Sequence, residues 1–235
     1  MRLASYNIRK AVGTDRRRDP HRVIEVINGL DADVVVLQEA DRRLGPRPTA
    51  LPRRMISDQT DYVPADVGQS AVSLGYHGNA VLVRRGHEVT GVSRFDLPGL
   101  EPRGAVAVEI DGALTIAGVH LGLMRRHRHV QMRALRGLLE PTPGPTIILG
   151  DFNEWSRTAG MEEFSYAFRL HAPGASYPTM RPTGHLDRIA HSHDVRLLDA
   201  GVHDSRLARV ASDHLPIWAE FDLSPRADAA DAAHG

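Results

Sequence analysis

Four apolar runs in this chain end on polar side chains that an apolar interior does not tolerate unpaired, and two more such residues stand just before a fifth. VVVLQE closes on Glu39, TIAGVHL carries His120, TIILGDFN carries Asp151 and Asn153, and Arg2–Tyr6 runs into Asn7. The pair Asp213-His214 immediately precedes LPIWAEF. A carboxylate after an apolar run is costly to bury alone, and its ordinary company is a partner, a metal or solvent. One such end would be a turn, because Asp and Asn suit turns. Five, bearing carboxylates, amides and imidazoles but no Ser or Cys nucleophile, point to one mixed site built by distant segments.

The runs themselves have strand length and β composition. Strands are expected at Arg2–Tyr6, Asp33–Leu37, Asn79–Val83, Ala105–Ile110, Leu114–Val119, Thr146–Leu149 and Leu215–Phe221. Two helices stand between them. Asp19–Leu30 carries Val23, Ile24, Val26, Ile27 and Leu30 as a stripe, with Asp19-Pro20 as cap and first turn. Arg125–Leu139 carries Val130, Met132, Leu135, Leu138 and Leu139, and Pro141 closes it. Val81 to Val119 reads as consecutive strands, so the expected class is a mixed α/β sheet protein and not a simple parallel array. Leu44–Arg54, Pro141–Pro145 and Pro173–Pro182 read as surface loops. A single domain is expected over residues 1–223, followed by a disordered tail over 224–235 that lacks an apolar stripe.

Composition narrows the chemistry. The 235 residues include no cysteine, which excludes disulfides, thiolate metal sites and a cysteine nucleophile. The start of the chain has no apolar signal region and no stretch is long enough to span a membrane, so a cytoplasmic protein is expected, with monomer as the default. Lys+Arg and Asp+Glu both number 29, which argues against a processive nuclease that grips long nucleic acid through a basic surplus. Carboxylate and amide oxygens suit magnesium, with manganese as the alternative. Thirteen histidines leave zinc open, but no HExxH motif occurs.

SYNIRK (Ser5–Lys10), LQE (Leu37–Glu39), GNAVL (Gly78–Leu82), EPRGAV (Glu101–Val106), GVHL (Gly118–Leu121), GDFN (Gly150–Asn153), LDRI (Leu186–Ile189) and SDHLPI (Ser212–Ile217) occur in one order. In that order they resemble the endonuclease/exonuclease/phosphatase superfamily, which includes deoxyribonuclease I-like nucleases, neutral sphingomyelinases and inositol polyphosphate phosphatases. The resemblance implies a four-layer α/β/β/α sandwich, two packed mixed sheets flanked by helices. It also implies a metal-dependent phosphoric ester hydrolase, a phosphodiesterase that uses magnesium and an activated water in one in-line step. In that pattern Glu39 is the main metal ligand, Asn7 its partner and Asp213 a second acid on the metal side. Asp151 orients and deprotonates water, Asn153 donates its amide to a phosphate oxygen, and His214 contacts the phosphoryl oxygens as an imidazolium held by Asp187. His120 is placed as general acid, and Asn79 and Arg103 as substrate-side groups.

The chain departs from the deoxyribonuclease branch where that branch puts a glutamate near the place of Arg103. Glu101 lies two residues earlier, which puts the acid pairing of His120 in question. The basic run Arg125–Arg133 reads as a solvated helix face whose first residues, Arg125 and Arg126, stand near the strand end. A phosphodiester on a small molecule or lipid headgroup is favoured over DNA, because there is no basic surplus and aromatic residues make up only 5%. A DNA nuclease is the alternative within the superfamily. A non-catalytic binder on the same fold is the alternative outside the enzymes. No stable protein partner is expected.

Overall fold

Strands that are apolar on both faces need cover on both, and this chain supplies it with two sheets and two helical layers. The computed structural model describes residues 1–156 and 159–224. In chain order the elements are β1 (Arg2–Asn7), α1 (Pro20–Gly29), β2 (Val34–Gln38), α2 (Arg53–Gln59), β3 (Tyr62–Pro64), β4 (Ala80–Arg84), β5 (Val89–Leu97), β6 (Arg103–Ile110) and β7 (Leu114–His120). There follow α3 (Arg125–Leu139), β8 (Thr146–Asp151), α4 (Glu162–Ser165), β9 (Arg169–His171), β10 (Asp187–His191), β11 (Arg196–Val202), α5 (Ala208–Ala211) and β12 (Ile217–Asp222).

The strands form two six-stranded sheets, in the orders β11-β12-β1-β2-β4-β3 and β5-β6-β7-β8-β10-β9. Each is mixed: β1 runs parallel to β2 in the first, and β7 parallel to β8 in the second. Alternation along the strands sorts side chains between layers. Leu3, Val34 and Val36 join Val106, Ile116, Ile147 and Leu149 in the core between the sheets. Their neighbours Ala4, Tyr6, Val35 and Leu37 face outward onto Val23, Ile24 and Ile27 of α1. On the far side Ala117, Val119 and Ile148 meet Met132, Leu135 and Leu139 of α3 and Phe164 of α4. This is the α/β/β/α sandwich, and burial on both faces explains why the central strands read as unbroken apolar runs. No helix among the described residues is long and apolar enough to cross a membrane.

Local signals set the helix ends. The Asp19 side chain accepts from the backbone N–H groups of His21 and Arg22, and Pro20 opens α1. Strands β3, β9, β10 and β11 had not been read from the sequence. β3 and β9 are three-residue edge strands, β11 is an edge strand with a register shift, and β10 carries Asp187, Arg188 and His191 among its five residues. Two stretches expected to be surface loops are partly interior. Leu51 of the first is fully buried, and Ser176 and Thr179 of the Pro173–Pro182 stretch are fully buried too. Their polar groups are satisfied: the Ser176 hydroxyl donates to Asp187, and the Thr179 hydroxyl to the Ser212 carbonyl at 3.1 Å. Beyond Ser224, the expected tail lies outside the described residues.

β7 passes close to β2 of the other sheet at Gly118. A Cβ at Gly118 would lie 2.7 Å from Val36 Cγ1 and 3.2 Å from Val106 Cγ2, both β-branched and fixed in the core. Gly118→Val is therefore expected to lower unfolding free energy by about 1–3 kcal/mol, the usual cost of overpacking, measured by urea denaturation.

Candidate active site

Register alone brings three of the polar strand ends together. Parallel pairing of β7 with β8 sets His120 opposite Asp151, and antiparallel pairing of β10 with β8 sets Asp187 on its other side. These side chains form a row across one end of the second sheet. Gly150 permits that spacing, because a Cβ there would meet the Val119 carbonyl oxygen at 2.0 Å. In the first sheet, parallel pairing puts Asn7 opposite Gln38, one residue before Glu39.

The two sheets then meet through side chains. Asn7 Nδ2 donates to Asp151 Oδ2 at 3.1 Å. The Ser212 hydroxyl donates to the Asn7 carbonyl at 2.7 Å and accepts from the His214 N–H at 3.3 Å, which docks the segment leading into β12. His214 Nδ1 lies 2.8 Å from Asp187 Oδ2, and its Nε2 lies 3.8 Å from Asp151 Oδ2. His120 Nε2 lies 3.4 Å from the same Asp151 oxygen. The Tyr177 ring flanks His214, with centroids 4.8 Å apart.

Two turns aim the remaining groups. Glu39 has φ +52°, and its backbone is held from both sides: Lys10 N donates to the Glu39 carbonyl at 3.1 Å, and Ala40 N to the Gly78 carbonyl at 2.9 Å. Asn153 also has φ +52°. Two-residue spacing in an extended segment would place Asp151 and Asn153 on one face by alternation, but GDFN is not extended to its end. β8 stops at Asp151, and a turn, not alternation, brings Asn153 back to the same hollow. That turn is closed by the Asn153 N–H donating to Asp151 Oδ1 at 2.9 Å, and the Asn153 amide donates to the Leu121 carbonyl at 2.9 Å.

The result is a cavity of about 300 Å³. Every residue expected in the site lines it except Asp187 and Asn79. Asp187 lies behind His214, fully interior. Asn79 stands apart, donating its amide to the Gly104 carbonyl at 2.8 Å. Glu101 takes no part in pairing His120. Its carboxylate accepts from Arg103 at 2.9 and 3.2 Å and from the Leu123 N–H at 3.2 Å. Arg128 of the basic run is buried on Glu154 at 2.7 Å and is not solvated. Lys10, Arg9, Arg43, Trp155 and Tyr177 also line the cavity without having been singled out. Lys10 stands inside SYNIRK and Arg43 four residues past Glu39, so adjacency was their only signal. Tyr177 lies in a proline-rich stretch that carried none.

Charge is distributed in opposition. Burial disfavours the His214 cation, but the Asp187 and Asp151 carboxylates outweigh it and raise the imidazole from 6.5 to about 9. Burial pushes Asp151 up, and the His214 charge pulls it back. Burial, followed by the positive charges of Arg103 and His214, holds His120 well below the usual histidine range.

Asp151, Asp187 and His214 present atoms within 4.8 Å of one another, close enough for a metal cage. In this arrangement His214 Nδ1 is engaged by Asp187 Oδ2 at 2.8 Å, and the two carboxylates favour the protonated ring, so the trio reads as a hydrogen-bonded group. The oxygens that suit a hard divalent ion belong to Glu39, Asp213 and Asn7, all on the cavity wall. Two of these groups already attract cations of the chain itself: Glu39 pairs with the Lys10 ammonium and, at 3.5 Å, with Arg43, and Asp213 pairs with Arg9 at 3.2 Å. The donor set fits such an ion.

A family model described as the Endonuclease/Exonuclease/phosphatase family matches residues 4–214. The protein YbhP of Escherichia coli K12, described as uncharacterized, is 28% identical over 94% of this chain and 96% of its own length. Among solved structures, the mannosyl-6-phosphatase Bt3783 of Bacteroides thetaiotaomicron VPI-5482 superposes with a TM-score of 0.73 at 18% identity, covering 94% of this chain and 99% of that one. D. rerio TDP2 complexed with single strand DNA product superposes with a TM-score of 0.73 at 16% identity, covering 94% and 98%. These two likenesses show the same fold.

A folded-state pKa near 9 means that His214 keeps its proton through neutrality and that the stability this contributes is complete below about 6.5 and lost as pH rises through about 9. NMR of the ring nitrogens is expected to give a midpoint near 9. Asp187→Asn is expected to bring that midpoint down by at least about one unit.

Proposed function

The chain belongs to the endonuclease/exonuclease/phosphatase family, hydrolases of phosphoric ester bonds, and on that premise we propose that it is a phosphodiesterase that attacks phosphorus with water in one in-line step. The observation that carries the reading is the convergence on Asp151: an amide from one sheet, an imidazole from the other and an imidazolium backed by Asp187 all meet one buried carboxylate. Among the described residues the cavity wall offers no serine, threonine or cysteine, which supports water as the nucleophile.

Asp151 is the base. Its carboxylate is raised by burial, as suits proton abstraction near neutrality, and is held by Asn7 and by the Asn153 N–H so that an oxygen faces the hollow. His214 presents a fixed positive charge to the phosphoryl oxygens, and Asp187 keeps it both charged and oriented. The second amide hydrogen of Asn153 is directed at a nonbridging oxygen. His120 is the candidate acid toward the leaving oxygen, since an anionic phosphate would draw a proton onto a ring that burial otherwise keeps neutral. Glu39, Asp213 and Asn7 would hold magnesium, or manganese in its place. When bound, the ion supplies charge neutralisation for the phosphate and the leaving oxygen.

A diester suits the shape better than a monoester. The cavity continues past Arg43 and Arg103 into adjoining hollows, whereas Trp155, Tyr177, Leu123 and Leu186 belong to the reaction cavity alone. Substituents on both sides of the phosphate therefore have a wall to meet. A small molecule or lipid headgroup remains the favoured bearer of that phosphate.

Asp151→Ala and His214→Ala are each expected to cut turnover of bis(p-nitrophenyl) phosphate by about 100-fold or more. If both variants kept more than about a tenth of wild-type turnover, the assigned roles would be wrong. Chelation with EDTA is expected to abolish activity and magnesium to restore it, and Glu39→Gln to raise the magnesium concentration needed.

A further inference from the structure

Beside the reaction cavity lies a second hollow, also about 300 Å³, lined by Arg43, Arg47, His77, Glu101, Pro102 and Arg103. A small space of about 40 Å³ shares Lys10, Glu39 and His120 with the first and Arg47 and His77 with the second. Arg43 and Arg103 border all three. The whole chain has a formal charge of zero, so three guanidiniums on one small hollow are a local concentration of charge and not a reflection of composition.

The single carboxylate in that wall is already engaged. Glu101 accepts from Arg103 through one oxygen and from the Leu123 N–H through the other. Arg47 is positioned without being neutralised. Its Nη1 lies 3.3 Å from His77 Nδ1, and His77 Nε2 lies 3.1 Å from Asp96 Oδ1. A guanidinium can only donate, so His77 accepts at Nδ1 and passes its ring N–H to Asp96. The carboxylate thus stands one imidazole away from Arg47, and among the described residues Arg47 makes no direct ion pair.

We infer that this hollow is a subsite for a second phosphoryl group, so that the substrate carries one phosphate over Asp151 and another between Arg43, Arg47 and Arg103. The inference rests on the phosphodiesterase reading and names its substrate class, a phosphodiester that also bears a phosphate monoester. Guanidinium groups are the side chains best matched to phosphate, through paired N–H donors. Glu101 in the wall and Asp96 behind His77 interrupt the positive charge, which disfavours a long nucleic-acid strand.

The test compares substrates that differ by one phosphate, in two families that distinguish its source. One pair is the p-nitrophenyl ester of thymidine 5′-phosphate with and without a 3′-phosphate. The other is glycerophosphoinositol with and without a phosphate on the ring. In at least one pair the added phosphate is expected to lower KM about tenfold or more, with kcat within about twofold, as one charge-assisted contact allows. Arg47→Ala is expected to erase that preference, Arg47→Lys to keep part of it, and both to melt as the wild type does and to hydrolyse bis(p-nitrophenyl) phosphate as it does. Equal KM within both pairs, or a preference that survives Arg47→Ala, overturns the subsite. So does a KM that keeps falling as oligothymidylates lengthen beyond two phosphates. Failure of the wild type to cleave bis(p-nitrophenyl) phosphate would instead sink the phosphodiesterase reading. The hollow is then read alone by calorimetry with metal-free pyrophosphate, which Arg47→Ala must bind about tenfold more weakly for the subsite to stand.

Discussion

Two buried carboxylates set the terms for everything around them. Asp151 and Asp187 are 2% and 1% exposed, and an ionised carboxylate so placed is costly unless hydrogen-bonded or paired. The partners come from across the molecule. Asn7 reaches over from the first sheet, His120 stands beside Asp151 in the second, His214 arrives on the segment before β12, and Ser176 arrives from the stretch before β10. No single element could satisfy these acids. The site is therefore a product of how the sheets pack, and the close crossing at Gly118 belongs to its geometry as much as any polar residue does.

The same economy appears in the backbone. Left-handed residues occur at Glu39, at Asn153 and at three consecutive positions, Arg9 to Ala11, and each group borders the reaction cavity or leads into it. Such conformations cost on the order of 1–3 kcal/mol apiece and persist where surrounding bonds overdetermine them. Here those bonds are visible: Lys10 N on the Glu39 carbonyl, and the Asn153 N–H on Asp151. Strain at these turns is the means by which side chains at strand ends are turned inward and held before any ligand arrives.

What could be read in the sequence follows from this architecture. Central strands are covered on both faces, so β1, β2, β7 and β8 appear as continuous apolar runs, and the polar residue that ends each run stands out. Glu39, His120, Asp151 and Asn7 were legible for that reason. β10 was hidden as a strand because three of its five residues are polar, although each is buried with partners supplied by other segments. Ser176 and Tyr177 were hidden because proline and glycine around them mark turns, and turn composition says nothing about whether a turn faces inward. The basic hollow was hidden for a different reason. Arg43, Arg47 and Arg103 are spread over two segments, and a net charge of zero conceals any local excess.

The position of β1 has a consequence for how such a molecule is made. It lies between β2, which follows it closely, and β12, the last strand among the described residues. During synthesis β1 therefore waits, with one row of backbone donors and acceptors bare, until β12 has been made. Until that partner leaves the ribosome the nascent chain also lacks His214, just ahead of β12. The half-finished polypeptide thus keeps an open strand edge and an incomplete cavity, and a single late pairing closes both together.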